Sequence, residues 1–252
     1  MDIHKPKPWR GWREFLKEYA TIVIGVLTAL AFEQAVEWLH WQGKVRLAER
    51  AIQTDLALTA DLASERVALS RCLDDRLNVL NALVEATHPS AGLLPADAGG
   101  YPMPAPYRAP ARAWNTQAWE GVMADGTYAH LKPDRARALS LLYYTVGNMR
   151  EANFAEKNEA PDLDVLEDKA ITLTPDKRVE LLQHIAKLRW FNQDLTKVSK
   201  QILRRIDDAG YLPPLKDTER RLASEYSQAM MCRYAEEDLK DRVLKGWFTL
   251  HR

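Results

Sequence analysis

The 252-residue chain has no surplus of either charge: 35 Lys and Arg stand against 35 Asp and Glu. A protein that holds nucleic acid electrostatically needs a basic excess or a basic stripe, so the balance argues against that class. Cysteine is scarce. Cys72 and Cys232 are the whole complement, too few for a disulfide-dense scaffold or a Cys-rich zinc module. Long apolar runs are also few: a mean hydropathy of −0.38 excludes a multi-span membrane protein but leaves room for one span. No period-two alternation of apolar and polar residues persists, so no strand is expected. There is no internal repeat. The signatures of common catalysts are missing as well. His4, His40, His88, His130, His184 and His251 are scattered, with no His-Glu-x-x-His and no zinc spacing. There is no P-loop, Gly-x-Gly-x-x-Gly or Gly-x-Ser-x-Gly. The sequence therefore predicts no enzyme, no cofactor and no metal centre. An active site assembled from distant residues would show only in geometry.

What the chain does hold is 46% apolar and 28% charged residues, the composition of a globular protein. Its one long uncharged run is Tyr19 to Phe32, YATIVIGVLTALAF. Fourteen helical residues reach only about 21 Å, short of a hydrocarbon core about 30 Å thick. The flanks extend it. Lys5, Lys7, Arg10, Arg13 and Lys17 precede it, interleaved with Trp9, Trp12 and Phe15. Apolar character continues past Glu33 and Glu37 to Trp38, Leu39 and Trp41. As a helix, 19–41 would cover about 34 Å with aromatic residues near both ends. The expectation is a transmembrane helix over 19–41 with a basic, aromatic segment at 1–18 before it. Residues 1–18 carry a charge of +2 and the remaining 234 carry −2. The positive-inside rule then puts 1–18 in the cytoplasm and residues from 42 onward outside. Two alternatives stand beside it. Ala29-Leu30-Ala31 has the form of a signal-peptidase site, and a short apolar helix can also be buried in a soluble core.

Thr21, Gly25, Ala29 and Glu33 fall at four-residue steps and so share one stripe of this helix. Small residues at that spacing let two helices approach closely, and an acidic residue in lipid needs a partner or water. The stripe is a membrane-helix interface in one reading. In the other, Glu33 sits at the headgroups and the spacing is chance.

Beyond the span, 42–87 reads as one long helix, with Val45, Ala48, Ile52, Leu56, Leu62, Leu69, Leu73, Leu80 and Leu83 at three- and four-residue steps. Arg66 and Arg76 interrupt that stripe. Residues 88–113 hold six of the 13 prolines and read as a long loop. Tyr101 and Tyr107 in it, with Trp114 and Trp119 just after, make a recognition surface one option and an ordinary excursion the other. Helices are expected at about 114–125, 133–158, 175–209 and 217–244. Gly126 suits a left-handed stop for the first, and Thr174-Pro175-Asp176 is a strong start for the third. Leu139, Leu142, Tyr143, Val146, Met149 and Phe154 line one helix; Leu181, Ile185, Leu188, Leu195, Val198, Ile202 and Ile206 line the next. Acidic residues on these helices read as solvated faces, and Arg204-Arg205 as pairing locally with Asp207-Asp208. Helices of this kind bury their stripes only against one another. The expected fold is all-α: an N-terminal transmembrane helix running into an elongated antiparallel bundle with a long Pro-rich loop. Cys72 and Cys232 lie on different helices and could pair in an oxidising compartment, or remain two small core residues.

Glu18, then Val23-Ile24-Gly25-Val26-Leu27-Thr28-Ala29-Leu30, resembles the opening span of uncharacterised bacterial single-pass membrane proteins, with Glu33, Gln34 and Trp38 a looser match. Asn115-Thr116-Gln117-Ala118-Trp119-Glu120, followed by Asp125-Gly126 and Leu131, is similar to a segment of such proteins. The resemblance covers about a quarter of the chain. It implies an anchored, exported helical domain and transfers no functional residue.

The leading functional expectation is a single-pass protein of the bacterial inner membrane, N-terminus cytoplasmic, whose periplasmic helical domain binds a protein partner, scaffolds an assembly or forms a homo-oligomer. The alternative is a sensor holding a small molecule between helices near Trp114, Trp119, Tyr143 and Tyr144.

Overall fold

The computed structural model describes residues 11–85, 106–108, 110–167 and 173–211. Tyr101, Cys232, most of the Pro-rich loop and the expected helix 217–244 lie outside the described residues. Among the described residues the protein is all-α, with four α-helices and no strand. They are α1 (Trp12–Glu85), α2 (Gln117–Ala124), α3 (Pro133–Glu159) and α4 (Pro175–Asp208). Two short 3₁₀ stretches, Thr127–His130 and Ala160–Glu167, follow α2 and α3.

The helix ends follow from local chemistry. α4 begins where Thr174 Oγ1 accepts the Lys177 amide at 3.3 Å and Pro175 takes the first helical position, where its missing N–H is not needed. It stops at Gly210, whose φ of 72° lets its amide reach the Asp207 carbonyl at 2.7 Å while Tyr211 N–H reaches Ile206 at 3.0 Å. Gly126, at φ 80°, separates α2 from the 3₁₀ turn in the same way. A side chain at either glycine would meet left-handed strain, and at Gly210 nothing would crowd it.

The chain divides into two compact units, Met1–Glu49 and Arg50–Arg252. In the first, residues 12–49 of α1 form one unbroken helix. Its large apolar side chains are exposed: Ile22, Ile24, Leu27, Leu30, Phe32, Val36 and Trp38 are each 50% or more accessible. Among the described residues this helix alone is long and apolar enough to cross a membrane, with a window of mean hydropathy 1.6 that is buried nowhere. Trp12, Phe15 and Tyr19 stack along one end, with centroids 5.8 and 6.1 Å apart. Near the other end Lys44 lies 4.8 Å over the Trp41 ring.

In the second unit, residues 50–85 of α1 pack with α3 and α4. Glu159 meets Lys187 while Thr145 meets Arg205, so α3 and α4 run antiparallel. Asp55 pairs with Tyr143 and Arg66 with Glu156, so α1 and α3 run the same way. Leu73, Leu77, Leu80 and Val84 of α1 join Leu163 and Leu166 of the second 3₁₀ stretch and Leu181, Ile185 and Leu188 of α4 in one dry cluster. At about 1.5–3 kcal/mol for each buried large aliphatic, this packing is the main support of the unit. The expected stripes of α3 and α4 are buried, with two exceptions: Phe154 is 61% exposed and Val198 is half-buried. Phe154 sits one position past the inward-facing Asn153, about 100° round the helix, and so turns outward.

Candidate functional site

Residues 106–108 and 110–116 have no helical ladder of their own, and proline at 106 and 110 contributes no amide donor. Their backbone is therefore satisfied by side chains reaching from the helices. Arg76 Nε donates to the Pro106 carbonyl at 2.6 Å. Asn153 Nδ2 donates to the Pro110 carbonyl at 3.0 Å, while its Oδ1 accepts the Arg112 amide at 3.0 Å and the Trp114 indole N–H at 3.3 Å. Arg112 forks onto Glu65 through bonds of 2.7 and 2.6 Å. The segment is thus strapped across α1 and α3.

At the centre of the strap lies a buried ion pair. Arg66 presents Nη1 to Glu156 Oε2 at 2.6 Å and Nη2 to Oε1 at 2.9 Å. Their side chains are 2% and 0% exposed. Taking both ions out of water costs several kcal/mol each, which only good geometry and further hydrogen bonds offset. Both are present. Tyr107 O–H donates to Glu156 Oε1 at 2.9 Å, and Arg66 Nη2 also reaches Asn192 Oδ1 at 3.0 Å. Asn192 Nδ2 in turn donates to the Ser70 carbonyl at 2.8 Å. One network therefore links α1, α3, α4 and the strap. Its ions neutralise one another away from solvent, so it fixes structure and presents no free acid or base.

A second polar centre lies on the same α1–α3 face. Tyr143 O–H donates to Asp55 Oδ2 at 2.9 Å, and the Tyr143 ring stacks on Trp119 with centroids 5.5 Å apart. Burial pushes the Asp55 carboxyl above its ordinary range, and hydrogen bonds from Tyr143 and Asn115 only partly oppose this. Burial, then the Asp55 charge, pushes the Tyr143 hydroxyl up as well. Because folded Asp55 holds its proton more tightly than the unfolded chain, its contribution to stability falls as pH rises from the ordinary aspartate value, about 3.9, through the raised one. Asp55→Asn is expected to remove that loss. Relative to the wild type, the variant should be more stable at pH 7 than at pH 4, read as the difference in urea midpoints between the two proteins. A difference that does not change with pH would contradict the buried, charged Asp55.

A third cluster gathers where α3 passes into the 3₁₀ stretch. His184 Nδ1 on α4 is 2.7 Å from Glu159 Oε1 and 3.5 Å from Asp162 Oδ2. Lys187 donates to the other Glu159 oxygen, Oε2. Burial disfavours the Glu159 charge, but the hydrogen bonds and charges of Lys187 and His184 outweigh it and hold the carboxyl below its usual range.

The residues singled out by the sequence fall in two places. Thr21, Gly25, Ala29 and Glu33 are all exposed on α1, and the Thr21 hydroxyl bonds back to the Lys17 carbonyl at 2.9 Å. Tyr107, Trp114 and Trp119 are buried at 2, 3 and 8% exposure, so their rings are packing and hydrogen-bonding elements and not an exposed recognition surface. Trp119 and Tyr143 come together, whereas Tyr144 points outward at 68% exposure. Cys72 is partly buried against the dry cluster of α1 and α4. Glu65, Glu156 and Glu159 are buried, against the expectation of solvated acidic faces. Arg205 does not stay with Asp207 and Asp208: it crosses to the Leu141 carbonyl at 3.0 Å and Thr145 Oγ1 at 2.9 Å on α3. The Glu159–Asp162–His184 cluster went unseen in the sequence. Glu159 and Asp162 flank Pro161 visibly, but the His that completes them is supplied by a different helix.

Compared with family models, curated proteins and solved structures, the chain matches none of them.

Proposed function

We propose that the protein is a single-pass membrane-anchored, non-enzymatic helical protein whose larger unit acts outside the membrane as an interaction or scaffold domain. The observation that carries this reading is the exposed apolar surface of 19–39 on α1. Left in water, side chains of that size cost about 1.5–3 kcal/mol each relative to burial, and a lipid core removes the cost. The basic residues before it orient the N-terminus to the cytoplasm of a bacterial inner membrane and the larger unit to the periplasm. On this reading the chain belongs with the single-pass proteins that its opening span resembles. Within the larger unit α4 runs antiparallel to both α1 and α3, while α1 and α3 run the same way, a departure from the all-antiparallel bundle that the sequence suggests. The ionic residues of its interior support a structural role, since Arg66 with Glu156 and Arg112 with Glu65 are spent on each other.

The test is affinity purification of the detergent-extracted full chain, with mass spectrometry of what accompanies it. A stoichiometric protein partner, or a second copy detected by light scattering, is expected. Recovery of a lone monomer that leaves the membrane on carbonate washing would overturn both the anchor and the partner. Export to an oxidising compartment also brings the Cys72–Cys232 disulfide within this proposal, and non-reducing peptide mapping of the same preparation reads it directly. Finding both thiols free there would end the pairing. The sensor reading has less support, because Trp114, Trp119 and Tyr143 are themselves buried in the packing.

A further inference from the structure

We infer that Glu159, Asp162 and His184 form a binding site for a divalent cation of the zinc class, independent of the function proposed above. The three come from three consecutive structural elements: the last turn of α3, the 3₁₀ stretch Ala160–Glu167 and α4. Each offers one ligand atom, and the three atoms lie within 4.8 Å of one another. Zinc holds nitrogen and carboxylate oxygen at about 2.0–2.2 Å, which places tetrahedral ligand atoms about 3.3 Å apart. The observed separations from His184 Nδ1, 2.7 Å to Glu159 and 3.5 Å to Asp162, bracket that spacing. Small rotations of side chains bring the set onto the ion, because Asp162 is half exposed at the rim while Glu159 is fixed beneath it.

The surroundings supply one of the two outer contacts common at metal centres, the one to the carboxylate. A ligating carboxylate is commonly held by a hydrogen bond on its spare oxygen, and a ligating imidazole is commonly oriented by a carboxylate at its other nitrogen. Lys187 holds Glu159 Oε2. Glu180 Oε1 stands 3.9 Å from His184 Nε2 on the opposite side of the ring, one helical turn back on α4. At that distance it makes no hydrogen bond to Nε2, and Lys177 already donates to the same oxygen at 2.8 Å, so the ring is held from its Nδ1 side and a cation bound there would replace any proton shared with Glu159. A cation between the three would contact both carboxylates, whereas the imidazole nitrogen makes one short contact, to Glu159, and a longer one to the half-exposed Asp162. One nitrogen and two carboxylate oxygens suit zinc and its neighbours among the first-row metals and leave a fourth position for water. Bound there, the ion would join the 3₁₀ stretch to α4.

The probe is Zn²⁺ alone, titrated into the full-length detergent-solubilised protein after chelator treatment, in competition with a chromophoric chelator. Co²⁺ serves as the spectroscopic probe of coordination. One ion per chain is expected above any weak background from the remaining histidines. Asp162→Asn and His184→Gln should each weaken that site by at least about 10–100-fold, the range seen even for outer-shell losses. Co²⁺ should give the visible band of a tetrahedral site, absent in both variants. His130→Gln, on an exposed turn remote in sequence from the cluster, should change nothing. Asp162 is half exposed, so its variant folds, and circular dichroism checks that. Variants that bind Zn²⁺ as tightly as the wild type, or a wild type with no site able to compete with the chelator, would overturn the inference.

Discussion

Arg66→Ala is expected to destabilise the Arg50–Arg252 unit by about 3–5 kcal/mol, because it strands the Glu156 charge in an interior from which water is excluded. With a urea dependence of about 2 kcal/mol per molar, the unfolding midpoint of the detergent-solubilised chain should fall by roughly 2 M, followed by helical circular dichroism. Arg66→Lys should recover little of this. An ammonium is a point donor and cannot make the paired contacts to Glu156 while also reaching Asn192. The double variant Arg66→Met with Glu156→Leu is the informative comparison. It removes both ions, so it should be less destabilised than the sum of the single variants, by an interaction energy of about 1–3 kcal/mol. It should not return to the wild type, since the Tyr107 hydroxyl and Asn192 Oδ1 lose buried partners at about 1–3 kcal/mol each. A single variant within 1 kcal/mol of the wild type would mean that the pair does not hold the unit together.

The same residues show where a sequence can be read and where it cannot. Helices were legible because they answer to local rules. Apolar residues recur at three and four, Pro175 follows Thr174, and Gly126 and Gly210 stand where a left-handed residue is needed. The continuous α1 from Trp12 to Glu85 joins two segments that the sequence divides only at Gly43, and glycine in a helix costs about 1 kcal/mol, too little to break it. The interior ionic network was illegible for a different reason. Arg66 and Arg76 looked like breaks in an apolar stripe, because sequence spacing places a side chain on a face but does not name its partner. Arg66 finds its partner 90 residues away and Arg76 finds a proline carbonyl 30 residues away. Of the Pro-rich stretch 88–113, the described residues 106–108 and 110–113 are not helical, and α2 begins at Gln117, three residues later than the spacing suggests. What the prolines concealed is that their carbonyls, having no ladder to join, would recruit Arg76 and Asn153 from the helices. The aromatic residues Tyr107 and Trp114 then go inward with the strap, each through one polar atom that has a buried partner. In the Glu159–Asp162–His184 cluster the carboxylates are local to one another, and only the imidazole required tertiary structure to find.

Leu27→Arg combined with Leu30→Arg is expected to abolish membrane insertion of the proposed anchor. Both side chains are exposed on the apolar part of α1, at 59 and 50%. An arginine near the centre of a span costs about 2.5–3.5 kcal/mol on insertion scales, so the pair would shift the partition by about 5–7 kcal/mol, or roughly 10⁴-fold. That exceeds what a short span with Glu33 near its end can absorb. The wild type should stay in the pellet after carbonate washing and float with the vesicles; the double variant should do neither. Leu47→Arg is the matched control. Leu47 is 65% exposed on the same helix but lies past the proposed span, so the variant should fractionate as the wild type does. The comparison separates lipid from water as the solvent of this face. If the face meets water, two arginines cost almost nothing and all three proteins wash out together. If it meets lipid, only the central pair is intolerable, and the loss depends on depth along α1 and not on the added charge.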